Sequence, residues 1–198
     1  MASAKKNPEM RNINDTKAKL VDWPKSLDIN LINEQFGSPA WIISEKQINE
    51  NILAFTRFTG DQGRIFYPVK TNPSLTILQI LAKIGAGADC ASQMEINLAL
   101  LAGIELKNIS YNTPVQDIQI CESLLLLGAN VVMDDINAIV ELQNLVEHVS
   151  YKGKLFLRLN LPEYVGYSNH NDNQELMAHG HKSSKFGIPV EDIEAILK

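Results

Sequence analysis

Residues 65–92, IFYPVKTNPSLTILQILAKIGAGADCAS, decide the fold of this 198-residue chain. The segment begins with an apolar run at residues 65–69 that is typical of a buried strand. Pro73 and Ser74 then begin a stretch with leucines at helical spacing, which stops at Gly85. A second apolar run follows from Ala88. A strand, a helix and another strand in this order predict a βαβ unit.

The same alternation continues along the chain at intervals of about 22 residues, as expected of successive βα units. Further strands are predicted at residues 88–91, 108–111, 131–133 and 155–159. The sequence also marks where the helices between these strands begin and end. Ser92 and Glu95 form a capping box at one helix start, and Asp134 and Asp135 precede another helix. Gly103 and Gly128 each end a helix. Apolar strands joined by crossover helices predict a parallel sheet.

Two parallel architectures fit this pattern, an open doubly wound sheet and a (β/α)8 barrel. A dinucleotide-binding open sheet would carry G-x-G-x-x-G after its first strand, whereas Gly85-Ala86-Gly87 leads from a helix into a strand. We therefore predict an α/β fold that is a partial TIM-like (β/α)8 barrel with five to six βα units. The chain is shorter than the ~250 residues of a complete barrel.

The N-terminal region differs from the rest of the chain in composition and hydrophobic pattern. Residues 1–30 are polar and interrupted by prolines, which predicts a leader with little regular structure. Residues 40–43 form a compact apolar run that predicts a strand, followed by an amphipathic helix. The predicted domains are a leader and linker at residues 1–35 and a barrel portion at residues 36–198.

Composition excludes several classes of function. The net charge of −5 and the absence of a basic stripe argue against nucleic-acid binding, and apolar runs are too short for a membrane span. Cys90 and Cys121 have apolar neighbours, which favours a reducing compartment and a cytoplasmic protein. His170, His179 and His181 lie in a polar stretch without a complete set of ligands, so no metal site is predicted.

Polar residues gather where the predicted strands end, and in a barrel these ends converge on one mouth. They are Lys70, Asp89, Asn112, Asp134, Arg158 and Asn160. A lysine between apolar walls is a candidate for Schiff-base chemistry, because loss of hydration favours the free amine. Lys70 is the candidate here. The alternative is a lysine whose ammonium group reaches solvent at a strand end.

Four segments together resemble the fold-type III pyridoxal-phosphate decarboxylases, the ornithine, diaminopimelate and arginine decarboxylase group. They are Tyr67-Pro68-Val69-Lys70-Thr71-Asn72-Pro73, Gly87-Ala88-Asp89-Cys90-Ala91-Ser92, Leu157-Arg158-Leu159 and Ser184-Lys185-Phe186-Gly187. Their order and spacing resemble the family over about residues 36–198, and the Asp89-Cys90-Ala91-Ser92 segment resembles ornithine-type enzymes more closely.

The resemblance implies a barrel of the alanine-racemase-like type and roles for individual residues. Lys70 matches the catalytic lysine that forms a Schiff base with pyridoxal 5'-phosphate, and Asp89 and Arg158 match residues that bind this cofactor. Lys185 matches a lysine near the mouth. The implied function is decarboxylation of a basic amino acid, in polyamine or lysine biosynthesis, by a homodimer. The family's cofactor-stacking histidine, Gly-rich phosphate loop, glutamate and C-terminal β-domain have no counterpart here, so the chain resembles the N-terminal portion.

Two other functions remain open at this point. A decarboxylase-like protein without catalysis could use a partial barrel for binding or regulation, since an incomplete sheet leaves open edges and an apolar face. A small pyridoxal-phosphate carrier barrel would suit the length better, although the motifs suit the decarboxylases.

Overall fold

The computed structural model describes residues 27–60, 65–145, 150–160 and 186–193. The chain divides into two compact units, Met1–Gln47 and Ile48–Lys198. The histidines at positions 148, 170, 179 and 181 and the lysine at position 185 lie outside the described residues.

The first unit contains helix α1, Ile29–Phe36, which the prediction of an irregular leader missed. The Asp28 side chain accepts hydrogen bonds from the backbone N–H groups of Asn30 and Leu31, at 2.9 and 3.1 Å. Gly37 follows the helix with a positive φ of 81°. An Asp before the helix and a Gly after it are ordinary helix-boundary signals, so this helix was readable from the sequence.

The strand predicted at residues 40–43 is wrong. These residues have no strand conformation, and the side chain of Trp41 is 98% exposed. A strand needs a hydrogen-bonded neighbour, and no strand of the described residues pairs with this segment. The helix predicted after it is confirmed as α2, Glu45–Thr59.

The second unit is built on a five-stranded parallel sheet. Its strands are β1 (Phe66–Pro68), β2 (Gly87–Cys90), β3 (Ile109–Asn112), β4 (Asn130–Met133) and β5 (Leu155–Leu157). The intervening helices are α3 (Leu75–Lys83), α4 (Gln93–Leu101), α5 (Ile118–Leu127) and α6 (Ile136–Leu145).

The strand order decides between the two parallel architectures. The strands lie side by side in chain order, β1-β2-β3-β4-β5, without the reversal at the first strand that a doubly wound sheet shows. After Arg158 the chain continues as β6 (Leu159–Asn160), which pairs in parallel with β7 (Ile188–Pro189). The wall of a partial (β/α)8 barrel with five to six βα units is therefore confirmed.

The core lies between the sheet and the helices, because side chains of a strand alternate between its two faces. The core residues come from the helices and from the side of the strands that faces them, and they are fully or almost fully buried. They include Leu78, Leu81, Ala88, Cys90, Ile109, Tyr111, Leu125, Val131 and Met133. Cys90 and Cys121 are free thiols within this core, and burial raises their pKa to about 12 and about 11. Both are packing residues, as predicted.

Capping confirms the helix starts read from the sequence. The hydroxyl of Ser92 accepts a hydrogen bond from the N–H of Glu95 at 3.3 Å, and the carboxylate of Glu95 accepts one from the N–H of Ala91 at 2.8 Å. Asp135 accepts from the N–H of Asn137 at 2.7 Å at the start of α6.

In the described ranges, no helix has the length and hydropathy needed to cross a bilayer.

Candidate active site

Lys70 lies in a 3-10 turn, Val69–Thr71, which directly follows β1. Val69 anchors the turn, since its side chain is completely buried. The hydroxyl of Thr71 donates a hydrogen bond of 2.7 Å to the carbonyl of Pro68, which closes the turn across the lysine. The backbone that carries Lys70 is therefore fixed from both sides.

Two further side chains hold the segment after the lysine. The phenol of Tyr67 donates to the carbonyl of Asn72 at 3.4 Å, and the side-chain oxygen of Asn72 accepts from the N–H of Ser74 at 3.1 Å. The residues of the first motif thus act on the backbone around Lys70. Their shared effect is to present the amine at the carboxyl end of β1.

The expectation that Lys70 is held between apolar walls is wrong for this structure. Its side chain is exposed, as in the alternative reading of a lysine that reaches solvent. The reason is its place in the sheet: within the described residues, β1 pairs with β2 on one side and with no strand on the other. Lys70 directly follows this edge strand, so no neighbouring strand end covers it on that side within the described residues.

Asp89 lies beside this lysine on the neighbouring strand. Pro68 is the register partner of Asp89, and Asp89 is the partner of Ser110. Because Cys90 on β2 is buried against the helices, the alternation of side chains puts Asp89 on the opposite, inner face of the wall.

Burial raises the pKa of the Asp89 carboxyl above its ordinary value. Three neighbours oppose this effect, first a hydrogen bond with the Asn112 side chain, then the charge of Lys70, and more weakly that of Arg158, whereas the negative charge of Glu95 adds to it. Asp89 therefore lies within electrostatic reach of both predicted cationic residues. The structure brings together the three residues named from the sequence.

Arg158 is held by the backbone at the end of β5. Its N–H donates to the carbonyl of Met133 at 2.8 Å, and its carbonyl accepts from the N–H of Ile188 at 2.7 Å. Its guanidinium lies 3.9 Å from the carboxylate of Asp134 and over the ring of Phe186, 4.5 Å from the centroid. The guanidinium thus contacts residues of two segments, the one that follows β4 and the one that precedes β7.

Asp134 balances part of this positive charge. Burial raises the pKa of its carboxyl, the nearby Arg158 lowers it, and Asp135 raises it again. Its side chain is only 7% exposed, compared with 29% for Arg158. Asp134 is therefore the more buried partner of this ion pair.

A cavity of about 270 Å³ opens at the same end of the wall. Its lining residues are Pro114, Asp134, Asp135, Ile136, Ile188 and Pro189. Four of them follow β3 or β4, the position where ligand sites form in parallel barrels, and the other two form β7. Within the described ranges, no cluster of three or more His, Cys, Asp or Glu residues could hold a metal ion.

The arrangement supplies an amine, a carboxylate with a raised pKa and a guanidinium at one mouth. The sequence analysis named Asn112 and Asp134 as strand ends without assigning them a partner. The structure connects Asn112 with Asp89 and Asp134 with Arg158. Only the register of the strands reveals these pairs, because the partners are more than 20 positions apart in the chain.

Residues 45–198 match the family described as pyridoxal-dependent decarboxylase, pyridoxal binding domain. The chain belongs to this family. A diaminopimelate decarboxylase of Methanocaldococcus jannaschii is 30% identical to it over 165 residues, which are 80% of this chain and 36% of that protein. The chain thus spans well under half of the length of this relative.

Solved structures agree on the fold. The crystal structure of the M. jannaschii diaminopimelate decarboxylase has a TM-score of 0.59 at 26% identity and covers 86% of this chain and 41% of that one. A Helicobacter pylori diaminopimelate decarboxylase complexed with L-lysine has a TM-score of 0.64 at 23% identity, with 83% and 41% covered. The expected closeness to ornithine-type enzymes finds no support in these relatives.

The cofactor of this family is pyridoxal 5'-phosphate, and the residues at the mouth suit its chemistry. An amine such as that of Lys70 can bind an aldehyde covalently. A guanidinium such as that of Arg158 binds anionic oxygens. The exposure of Lys70 leaves its amine accessible to a ligand.

Proposed function

We propose that this chain forms the cofactor-binding part of a decarboxylase that acts on a basic amino acid. The proposal is carried by one observation, that Lys70, Asp89 and Arg158 interact electrostatically at a single mouth of the barrel wall. Diaminopimelate is the substrate that the relatives favour. Removal of one of its carboxylates gives lysine.

Pyridoxal phosphate supplies an electron-accepting ring that makes loss of an α-carboxylate feasible. We assign covalent attachment of the cofactor to the Lys70 amine, which the turn after β1 presents toward the mouth. The Asp89 carboxylate attracts this amine and limits the positions it can adopt. Arg158 offers guanidinium N–H groups to an anionic group of the cofactor or the substrate.

Covalent trapping tests the proposal. The purified chain is mixed with pyridoxal phosphate, reduced with borohydride and digested, and mass spectrometry then locates the modified lysine. We expect one dominant modification at Lys70, absent in Lys70→Arg, while Lys83→Arg on the exposed face of α3 keeps it. Modification spread evenly over surface lysines would contradict the assignment.

A second candidate is a decarboxylase-like binding protein without catalysis. The observation in its favour is that Lys70 is exposed and so lacks the burial that would favour its free amine. The two functions differ in the trapping experiment, since a protein that lost the chemistry has no reason to keep a selective reaction at Lys70. Release of carbon dioxide from diaminopimelate, measured with the full-length protein, separates them further.

The homodimer and the cytoplasmic location remain predictions. A dimer is expected for a protein of this family in which two chains share the active sites. Sedimentation of the full-length protein, with and without pyridoxal phosphate, measures the oligomeric state.

A further inference from the structure

Phe186 contacts Arg158 through its aromatic ring. The centre of the guanidinium lies 4.5 Å from the ring centroid, well within the distance at which a ring face attracts a cation. Phe186 is half-buried. The sequence analysis identified this residue only as part of the Ser184-Lys185-Phe186-Gly187 motif and gave it no role.

The segment that contains Phe186 makes two contacts with Arg158, one to its side chain and one to its backbone. Phe186 contacts the side chain, and Ile188, two residues later, donates its N–H to the Arg158 carbonyl at 2.7 Å. Gly187 between them has a positive φ of 84°, and a Cβ there would lie 2.9 Å from the backbone nitrogen of Asn160. The tight turn at this glycine lets one short segment contact both the backbone and the guanidinium of the same residue.

The Phe186 ring restricts the orientation of the Arg158 guanidinium, whereas the Asp134 carboxylate does not. The Arg158–Asp134 separation of 3.9 Å is too long for a hydrogen bond, so this pair attracts without fixing an orientation. A ring beneath the flat guanidinium restricts its tilt, because the favourable arrangement places the cation over the ring face. The N–H groups lie along the edge of the guanidinium, so a fixed tilt also fixes the directions in which they point.

We propose that Phe186 is a positioning residue, which orients the Arg158 guanidinium at the mouth of the barrel wall so that its N–H groups bind an anionic group of the cofactor. This proposal rests on the proposed function for the role of Arg158. The orientation of Arg158 by Phe186 does not depend on it. Affinity for pyridoxal phosphate thereby becomes sensitive to a residue 28 positions after Arg158 in the chain.

The test compares three variants of the chain. Phe186→Leu removes the ring but keeps an apolar side chain, Phe186→Tyr keeps the ring, and Phe58→Leu makes the first change at an exposed position of α2. The first readout is ¹⁵N relaxation at Nε of Arg158 without ligand. The second is the dissociation constant of pyridoxal phosphate, and urea unfolding checks that each variant is folded.

We expect Phe186→Leu to increase the motion of Arg158 Nε and to weaken cofactor binding by about 2- to 10-fold, the range of a cation–π contact. Phe186→Tyr and Phe58→Leu should leave both values near those of the unchanged chain. The proposal is overturned if Arg158 stays equally ordered in Phe186→Leu, or if Phe186→Tyr loosens it to the same extent.

The readouts also separate this inference from the proposed function. Loss of Arg158 order in Phe186→Leu, with cofactor binding unaffected, would support the orientation but remove Arg158 from the cofactor site. If Phe186→Leu does not fold, the Hε chemical shift of Arg158 in the unchanged chain tests the proposal instead. A ring beneath the guanidinium shifts this proton resonance upfield. A resonance at the ordinary position would overturn the proposal.

Discussion

Pro68 and Asp89 are register partners in the parallel pair β1–β2, and this pairing brings the Asp89 carboxylate within electrostatic reach of Lys70, two residues beyond Pro68. The lysine comes from a turn and the carboxylate from a strand interior. Their proximity therefore depends on strand register and not on either local sequence. The first prediction follows directly from it.

Removal of the Lys70 charge should raise the pKa of Asp89 further. Burial already raises this pKa and the lysine lowers it, so Lys70→Met removes a stabilising charge from the ionised carboxylate. Lys70→Arg keeps the charge and serves as the matched control. A pH titration of the Asp89 carboxyl by ¹³C NMR measures both, and an unchanged pKa in Lys70→Met would contradict the proximity.

Asp89→Asn should stabilise the fold at neutral pH relative to the unchanged chain. A carboxyl whose pKa is higher in the folded state than in the unfolded state loses stability as pH rises from its ordinary value of 3.8 through the raised one. The asparagine avoids this loss, so its advantage should grow as pH rises through that window and stay constant above it. Solvent screening at this half-buried position keeps the gain within about 1 kcal/mol.

Urea unfolding of Asp89→Asn and the unchanged chain across acidic to neutral pH measures this advantage. Glu141→Gln, on the exposed face of α6, removes one carboxylate away from the mouth and is the control. A constant difference between Asp89→Asn and the unchanged chain at all pH values would argue against the raised pKa.

Ser92→Ala should cost about 1 kcal/mol of unfolding free energy, the usual effect of losing an N-cap hydrogen bond. Ser74 is the internal control, because it occupies the N-cap of α3 but its side chain makes no capping hydrogen bond. Ser74→Ala should therefore change stability by less than half as much. Equal losses at the two positions would mean that the Ser92 cap contributes nothing specific.

Gly187→Ala should destabilise the chain more than Gly103→Ala. Both glycines have positive φ, 84° and 93°, which costs an L-residue about 1–2 kcal/mol. Only at Gly187 would the new methyl group also meet backbone atoms, those of Leu159 and Asn160, whereas the space at Gly103 is open.

Hydrogen exchange gives a second measurement of the Gly187 effect. The Ile188 amide donates to the carbonyl of Arg158, so Gly187→Ala should accelerate its exchange by displacing this segment from β6. Gly103→Ala should leave that amide protected. Matching exchange rates in the two variants would refute the steric account.

Most of the second unit could be predicted from the sequence because its signals are local. The period of the apolar residues located the strands, and glycines and capping residues marked the helix ends, as at Ser92, Glu95 and Gly128. The predicted strand at residues 40–43 failed because an apolar run is necessary for a strand but a hydrogen-bonding neighbour is also required. That neighbour is not encoded nearby.

The site was predictable in its members but not in its contacts. Lys70, Asp89 and Arg158 were named from motifs, and their roles remain proposals. The sequence left open whether Lys70 is enclosed or reaches solvent, because local sequence does not show what packs beside the end of β1. The contact between Arg158 and Phe186 was equally hidden, because it joins residues 28 positions apart through the pairing of β6 with β7.

The alternation of side chains in β2 limits how this protein can vary. Asp89 faces the mouth and its neighbour Cys90 faces the helices, so inserting or deleting a single amino acid within Gly87–Cys90 would exchange their sides. A thiol would then point at the mouth and an acidic group would enter the apolar layer. Homologous chains should accordingly differ in β2 by replacement, while differences in length collect in the connections between strands and helices.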